Sequence, residues 1–255
     1  MKIKENILAI LAECKIENNT LYLPPEQLDR TTYEAVNKCI VNIGGKWNRK
    51  AKGHMFDYDP TEALENLLFT GETEDMKKVF QFFPTPREIG DRMCEIAEIN
   101  EHSRVLEPSA GKGDLVKAII AAGAQSVYCM EVNPEMIMSL EKLNCAGTIV
   151  VVHCGDFLEA KLTDKININR VIMNPPFSKQ QDINHIREAY TVLAPGGVLV
   201  SVISPSPFFR TNKKSVEFRE WLAAINAEVV DLPPGAFKES GTMISTKIIK
   251  ANKPY

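Results

Sequence analysis

The stretch VLEPSAGKGDLVKAIIAAGAQSVYCMEV, residues 105–132, decides the fold. An apolar run at 104–107 ends in Glu107 and gives way to a turn holding Gly111 and Gly113. LVKAIIAAG then repeats its apolar residues at helical spacing, and Gly123 suits the end of that helix. SVYCMEV reads as a second strand, closing at Glu131. One strand–helix–strand unit is therefore legible, and the pattern continues on both sides. Ahead of it, FFPTPREIGDRMCEIAEI (82–99) starts a helix at Pro86 and puts Ile89, Met93, Ile96 and Ala97 on one face. Downstream, Pro134 opens another helix. TIVVVHCGD (148–156), NRVIMN (169–174) and GVLVSVIS (197–204) read as strands, with helices over 180–194 and 214–226. EVVDLPPG (228–235) and TMISTKIIK (242–250) are two final strands with only a turn-rich link between them. Strands alternating with helices predict a doubly wound, mostly parallel α/β sheet, ending in an antiparallel edge hairpin.

The regular alternation covers 81–255. Residues 1–80 are mixed and turn-rich, and are expected to form a small α+β appendage. MKIKENILAILAEC at the start reads as a short amphipathic helix, since Glu13 breaks its apolar run and no small-residue cleavage site follows. A cytoplasmic location is expected. No apolar run approaches the roughly 20 residues of a membrane helix, so no membrane partner is expected. The chain has 30 Lys and Arg against 33 Asp and Glu, a net charge of −3, which excludes a broadly basic binder of nucleic acid. Its hydrophobic content of 44% excludes a disordered chain. The six cysteines show no CxxC pair and the four histidines are scattered, so no metal site is expected. Cys94, Cys129 and Cys154 lie in apolar stretches and read as small buried residues.

Three carboxylates mark the carboxyl ends of successive strands, the rim where doubly wound sheets hold ligands. Glu107 precedes the Gly111–Gly113 turn, which either lets a ligand approach the backbone or simply links strand to helix. Glu131, 24 residues on, can accept hydrogen bonds from a ribose diol, or else cap the following helix. Asp156 can accept from an exocyclic amine and Phe157 can flank an adenine; alternatively Asp156 caps a helix and Phe157 is core. Together the three favour a nucleoside ligand.

VIMNPPFSKQQD is the most informative segment for chemistry. Asn174 directly follows a strand, and Pro175 and Pro176 restrict the backbone around it. Phe177 comes next. An amine conjugated to a ring is a poor nucleophile because its lone pair is delocalised. The Asn174 side-chain oxygen can accept one of its N–H bonds and the Pro175 carbonyl the other. That pairing favours a more tetrahedral nitrogen with its lone pair aimed at an incoming methyl group, while Phe177 stacks on the ring. The bland reading of the same residues is a proline-rich turn with a core Phe.

With these motifs in order, the sequence resembles the class I S-adenosylmethionine-dependent DNA N6-adenine methyltransferases, of the gamma motif order. FPTP at 83–86, with Phe83 and Thr85, resembles the segment that helps hold the cofactor's methionine part. EPSAGKG at 107–113, with Ser109 and Ala110, resembles the methionine-side glycine motif. Glu131 matches the ribose-binding acid, Asp156-Phe157 the adenine-side motif, and NPPF at 174–177 the catalytic tetrapeptide. LPPGAFKESGT at 232–242 resembles a late-strand motif whose aromatic, here Phe237, faces a flipped base. The resemblance implies a Rossmann-like methyltransferase fold, S-adenosyl-L-methionine as cofactor and DNA as partner. The same NPP-aromatic motif also occurs in RNA and protein-glutamine methyltransferases. A nucleoside-binding module without catalysis is the remaining alternative, and it leaves Asn174 unexplained.

A duplex base reaches such a pocket only when flipped out, so local cations are expected near nucleic acid. Lys46, Arg49, Lys50 and Lys52 surround Trp47 in IGGKWNRKAKGH (43–54), either a hairpin touching phosphates or a solvated turn. SPSPFFRTNKK (204–214) supplies Arg210, Lys213 and Lys214, with Phe208 or Phe209 available to stack. Ser178, Lys179 and Gln180 follow the catalytic motif and are positioned in sequence to meet the target strand.

Overall fold

The computed structural model describes residues 3–56, 60–71, 84–143, 147–160, 162, 166–177, 180–233, 236–237 and 246–255. Two compact units result: Met1–Gln81 with Phe237–Ile244, and Phe82–Ala236 with Ser245–Tyr255.

The N-terminal unit packs helices α1 (Glu5–Ala12), α2 (Arg30–Asn42) and α3 (Thr61–Thr70) with a four-stranded antiparallel sheet. Its strands are β1 (Lys15–Glu17), β2 (Thr20–Tyr22), β3 (Lys46–Asn48) and β4 (Gly53–Met55), in the order β1-β2-β4-β3. Asp29 caps α2 by accepting from the N–H groups of Thr31 and Thr32. Leu11, Leu21, Val36, Ile40 and Leu67 are fully buried and form the centre of this small core.

The second unit is the doubly wound sheet expected from the alternation. Its strands are β5 (Arg104–Glu107), β6 (Ser126–Glu131), β7 (Ile149–Cys154), β8 (Arg170–Met173), β9 (Val198–Ile203), β10 (Glu228–Asp231) and β11 (Lys247–Asn252). They lie in the order β10-β11-β9-β8-β5-β6-β7. β5 through β9 run parallel, and β11 pairs antiparallel with both β9 and β10. The last two strands form the expected antiparallel hairpin at one edge of the sheet, with the final strand on its inner side, between β9 and β10. Its residues explain why: Ile248, Ile249 and Ala251 are buried, whereas β10 is mostly exposed.

Helices α4 (Arg87–Ile96), α5 (Asp114–Ala121), α6 (Pro134–Glu141), α7 (Gln181–Val192) and α9 (Lys213–Ala224) connect these strands, with a short α8 (Ser206–Phe209) after β9. α4 buries Ile89, Met93 and Cys94 and meets α5 closely: a Cβ on Gly90 would stand 3.1 Å from the Ala118 Cβ. Asn133 caps α6, with Pro134 at its first position. Cys129 is buried as expected, but Cys154 is exposed, because it closes the edge strand β7, where one strand neighbour is missing. Among the described residues no helix is long and apolar enough to cross a membrane.

Candidate active site

Parallel pairing of β6 with β5 and β7, and of β5 with β8, brings Glu107, Glu131, Asp156 and Asn174 to one rim. The turn between β5 and α5 is shaped by two left-handed glycines, Gly111 at φ 53° and Gly113 at φ 87°. They differ in what they do. The Gly111 N–H donates to Glu131 Oε2 at 2.8 Å, tying the turn to the next strand. Gly113 packs against α6: a Cβ there would lie 2.5 Å from Leu143 Cδ1 and 3.0 Å from Leu140 Cδ2. The Ala110 N–H donates to the Met130 carbonyl at 2.9 Å, so the turn's position is set by β6 as well.

Glu107 is wholly buried, and the Ser109 N–H donates to its Oε1 at 3.0 Å. Its Oε2 and the Ser109 Oγ are buried and meet no hydrogen-bond partner among the described residues. Burial pushes the Glu107 carboxyl up to about 8, and the neighbouring Glu131 charge adds to the rise. Glu131 does not cap α6; its Oε1 accepts from the Asn133 N–H at 2.7 Å while Asn133 itself caps. A buried carboxyl oxygen and a buried hydroxyl left open beside a left-handed turn suit a polar guest, and a cationic one would draw the carboxyl to its charged form. They fit the methionine ammonium and hydroxyl-rich parts of S-adenosylmethionine.

At the next strand end, Asp156 is exposed, and its Oδ1 accepts from the Leu158 N–H at 2.8 Å. Phe157 is different from the adenine wall expected of it. It is 2% exposed, joins the core with Met130, Ile183 and Ile186, and its ring centroid lies 5.8 Å from that of His185. Turning the chain at Gly155 and Asp156 sends the next side chain under the sheet. Exposed apolar side chains at this rim include Val132, 60% exposed and directly after Glu131, and Leu158, 37% exposed.

The NPPF corner follows β8. Asn174 Nδ2 donates to Thr85 Oγ1 at 3.2 Å, across 89 residues of sequence. That bond orients the amide, with Oδ1 as its acceptor side. Thr85 is buried, so the lock is shielded from water. Pro175 is buried, while Pro176 and Phe177 are partly exposed. Phe83 and Lys179 lie outside the described residues, as does Ser178.

Behind the corner stands a polar lattice that motif reading missed. Gln180, at φ 56°, donates its N–H to the Phe177 carbonyl at 3.2 Å and its Nε2 to Ser215 Oγ at 2.6 Å. Its carbonyl accepts from Lys214 Nζ at 2.7 Å, and its Oε1 from Asn212 Nδ2 at 3.2 Å. Asp182, fully buried, accepts at Oδ2 from the hydroxyl (2.7 Å) and N–H (3.2 Å) of Ser204, at the end of β9. Burial pushes Asp182 up to about 6, against those bonds and the nearby Lys214 charge. Gln180 and Lys214 were expected to meet nucleic acid. They instead tie the loop after the NPPF corner to α9, because both are drawn inward by partners 32 to 35 residues away in sequence.

Lys213 is exposed and pairs with Glu217 at 3.7 Å, while Arg210 is partly buried. Phe208 has Lys247 Nζ over its ring at 5.3 Å, leaving Phe209 as the exposed aromatic of the pair. Phe237 is 2% exposed and groups with the N-terminal unit, so it offers no open face to a base. In that unit, Lys46, Arg49, Lys50 and Lys52 all sit on the β3–β4 hairpin and are exposed.

The strand order and the rim define the class I S-adenosylmethionine-dependent methyltransferase fold, whose cofactor is S-adenosylmethionine. Comparison with known proteins agrees. Residues 93–217 match the family described as the methyltransferase small domain. Among curated relatives, the ribosomal RNA small subunit methyltransferase A of Synechococcus sp. (strain CC9311) is 25% identical over 114 residues. That alignment spans 44% of this chain and 41% of the relative. The protein of the same name from Prochlorococcus marinus (strain MIT 9215) is 25% identical over 190 residues, 68% of this chain and 67% of the relative. The chain thus spans about two fifths of the length of the first of these relatives. Among solved structures, a chain described as a modification subunit of a type I restriction enzyme from Vibrio vulnificus YJ016 superposes with a TM-score of 0.53 at 16% identity. That match covers 99% of this chain and 66% of the other. A dimethyladenosine transferase from Plasmodium falciparum superposes with a TM-score of 0.51 at 14% identity, over 68% of this chain and 64% of the other. At these identities both show the fold.

Proposed function

We propose that the protein is an S-adenosylmethionine-dependent N-methyltransferase acting on the exocyclic amine of a base in RNA, adenine being the base its motif suits. The observation that carries the reaction type is the Asn174 amide, oriented by Thr85 at the head of a proline-restricted corner. The relatives named for ribosomal RNA favour RNA as the substrate. The NPPF tetrapeptide and motif order favour DNA adenine, which stands as the second reading.

Glu107, Ser109, the Gly111 turn and Glu131 would hold the cofactor, with Val132 rather than Phe157 beside its flat base. When bound, S-adenosylmethionine supplies a methyl group on a positively charged sulfur. Asn174 Oδ1 and the Pro175 carbonyl accept the two N–H bonds of the target amine. That pulls its lone pair out of conjugation and along the line of attack. With the cofactor held by those residues, this lone pair would be aimed at the methyl group that the sulfonium would give up. One N–H proton, now acidic, leaves past these acceptors to solvent, so no strong base is required. Phe177 stacks on the ring and holds it.

Incubation with radiolabelled S-adenosylmethionine and, separately, ribosomal RNA, unmethylated plasmid DNA or total protein tests this. Label in N6-methyladenosine of RNA is expected. Label in DNA alone selects the second reading, and label in protein alone refutes both. Label nowhere favours a nucleoside-binding module. Asn174→Ala should abolish transfer with cofactor affinity retained, as measured by calorimetry.

A further inference from the structure

The β3–β4 hairpin of the N-terminal unit is built more rigidly than a solvated turn requires. Asn48 Oδ1 accepts from the N–H groups of Lys50 (2.9 Å) and Ala51 (3.1 Å), closing the turn on itself. Lys52 holds a left-handed φ of 53°. Gly53 then enters β4 so close to β2 that a Cβ would lie 2.8 Å from Thr20 Cγ2 and 3.0 Å from the Leu21 carbonyl. β3 is an edge strand, and Trp47 at its centre is 48% exposed. Its strand partner is His54, with ring centroids 5.1 Å apart at 67°. His54 is fully buried and bonded through Nε2 to Asn37 at 2.8 Å, and burial lowers its basicity. A neutral imidazole edge therefore braces the indole and leaves much of its surface to solvent. Arg49, Lys50 and Lys52, all exposed, stand within five residues of it.

We propose that this hairpin is a docking element for single-stranded nucleic acid, with Trp47 stacking on an unpaired base and the three cations on the flanking phosphates. Bases in a duplex already stack on one another, so an indole face gains most from one that is unpaired. A rigid turn lowers the cost of presenting it. The proposal rests on the nucleic-acid reading of the methyltransferase, and it concerns RNA or DNA strands through the same chemistry.

The full chain is titrated with a labelled 15-nucleotide RNA, the same sequence as DNA, and the matched DNA duplex, followed by anisotropy over a range of KCl. Trp47→Ala should weaken binding of one or both single strands by roughly 5- to 150-fold, from the ~1–3 kcal/mol of base–aromatic stacking, with little effect on the duplex. Trp47→Leu keeps apolar cover over His54; it should melt like the wild type yet bind like Trp47→Ala. Trp47→Phe should recover part of the affinity. Lys50→Gln should lower the log–log salt slope by about 0.7 for single strands. Only two tryptophans are present, so quenching lost in Trp47→Phe reports the contact directly. Single-strand binding unchanged in both Trp47→Ala and Trp47→Leu, or equal loss for the duplex, overturns the proposal. Binding through Trp47 without methyl transfer to any nucleic acid would instead overturn the catalytic reading alone.

Discussion

Glu107→Gln should change the pH dependence of stability more than stability itself. The Glu107 carboxyl sits wholly buried, with one oxygen on the Ser109 N–H and the other without a partner among the described residues. Its ordinary value is 4.5 and the fold raises it to about 8. The folded protein therefore keeps a proton that the unfolded chain releases above about pH 4.5. Its stabilising effect is complete below that point and is lost as pH rises towards 8, by about 1.4 kcal/mol per pH unit. From pH 5.5 to 7.5 the loss attributable to Glu107 is roughly 2–3 kcal/mol. Glutamine has the same shape and no charge to bury, so the variant should lack this decline. Urea unfolding at several pH values, followed through Trp221 in a Trp47→Phe background, reports the catalytic unit alone. Asp182 titrates in the same window in both proteins, so the difference between them isolates Glu107. At pH 5.5 the two should be close in stability, and at pH 7.5 the glutamine variant should be the more stable. A difference constant across the range would refute the buried, protonated carboxyl.

The remaining predictions concern the rim. Gly113→Ala places a methyl against Leu140 and Leu143 at a φ of 87°; about 2–4 kcal/mol of destabilisation is expected from strain and overpacking, read as a lowered urea midpoint. Thr85→Val removes the donor's partner on Asn174 and should lower kcat about tenfold with cofactor affinity intact, while Thr85→Ser recovers it, measured by single-turnover transfer. Lys214→Met removes the anchor on the Gln180 carbonyl; kcat should fall while the KM for S-adenosylmethionine holds, and a rise in that KM alone would contradict its positioning role. Glu131→Ala should weaken cofactor binding by calorimetry before it affects substrate binding.

Strand and helix order was legible because apolar patterning is a local property: short, nearly continuous apolar runs bounded by turns in β6 and β9, period 3.6 in α4 and α5. Motif residues that act through their own backbone were also legible. Gly111 and Gly113 announce left-handed φ values, and the two prolines announce a restricted corner. Phe157 shows the limit. The same CGDF suits a ligand wall or a core anchor, and the choice depends on which way the chain turns after Asp156. Lys214 shows it again: a lysine in a basic run reads as a phosphate contact until a buried carbonyl claims it.

By itself, the sequence determined an alternating α/β chain, a rim of carboxylates and an Asn-Pro-Pro-Phe corner suited to methylating a conjugated amine. Only the tertiary structure decided that the last strand enters the sheet beside β9, that Thr85 orients Asn174, and that Gln180, Asp182 and Lys214 brace the segment after the NPPF corner. The physical reason is that each of these depends on partners tens of residues apart, meeting in a dry interior. There an unpaired polar group is costly and a paired one is held in place.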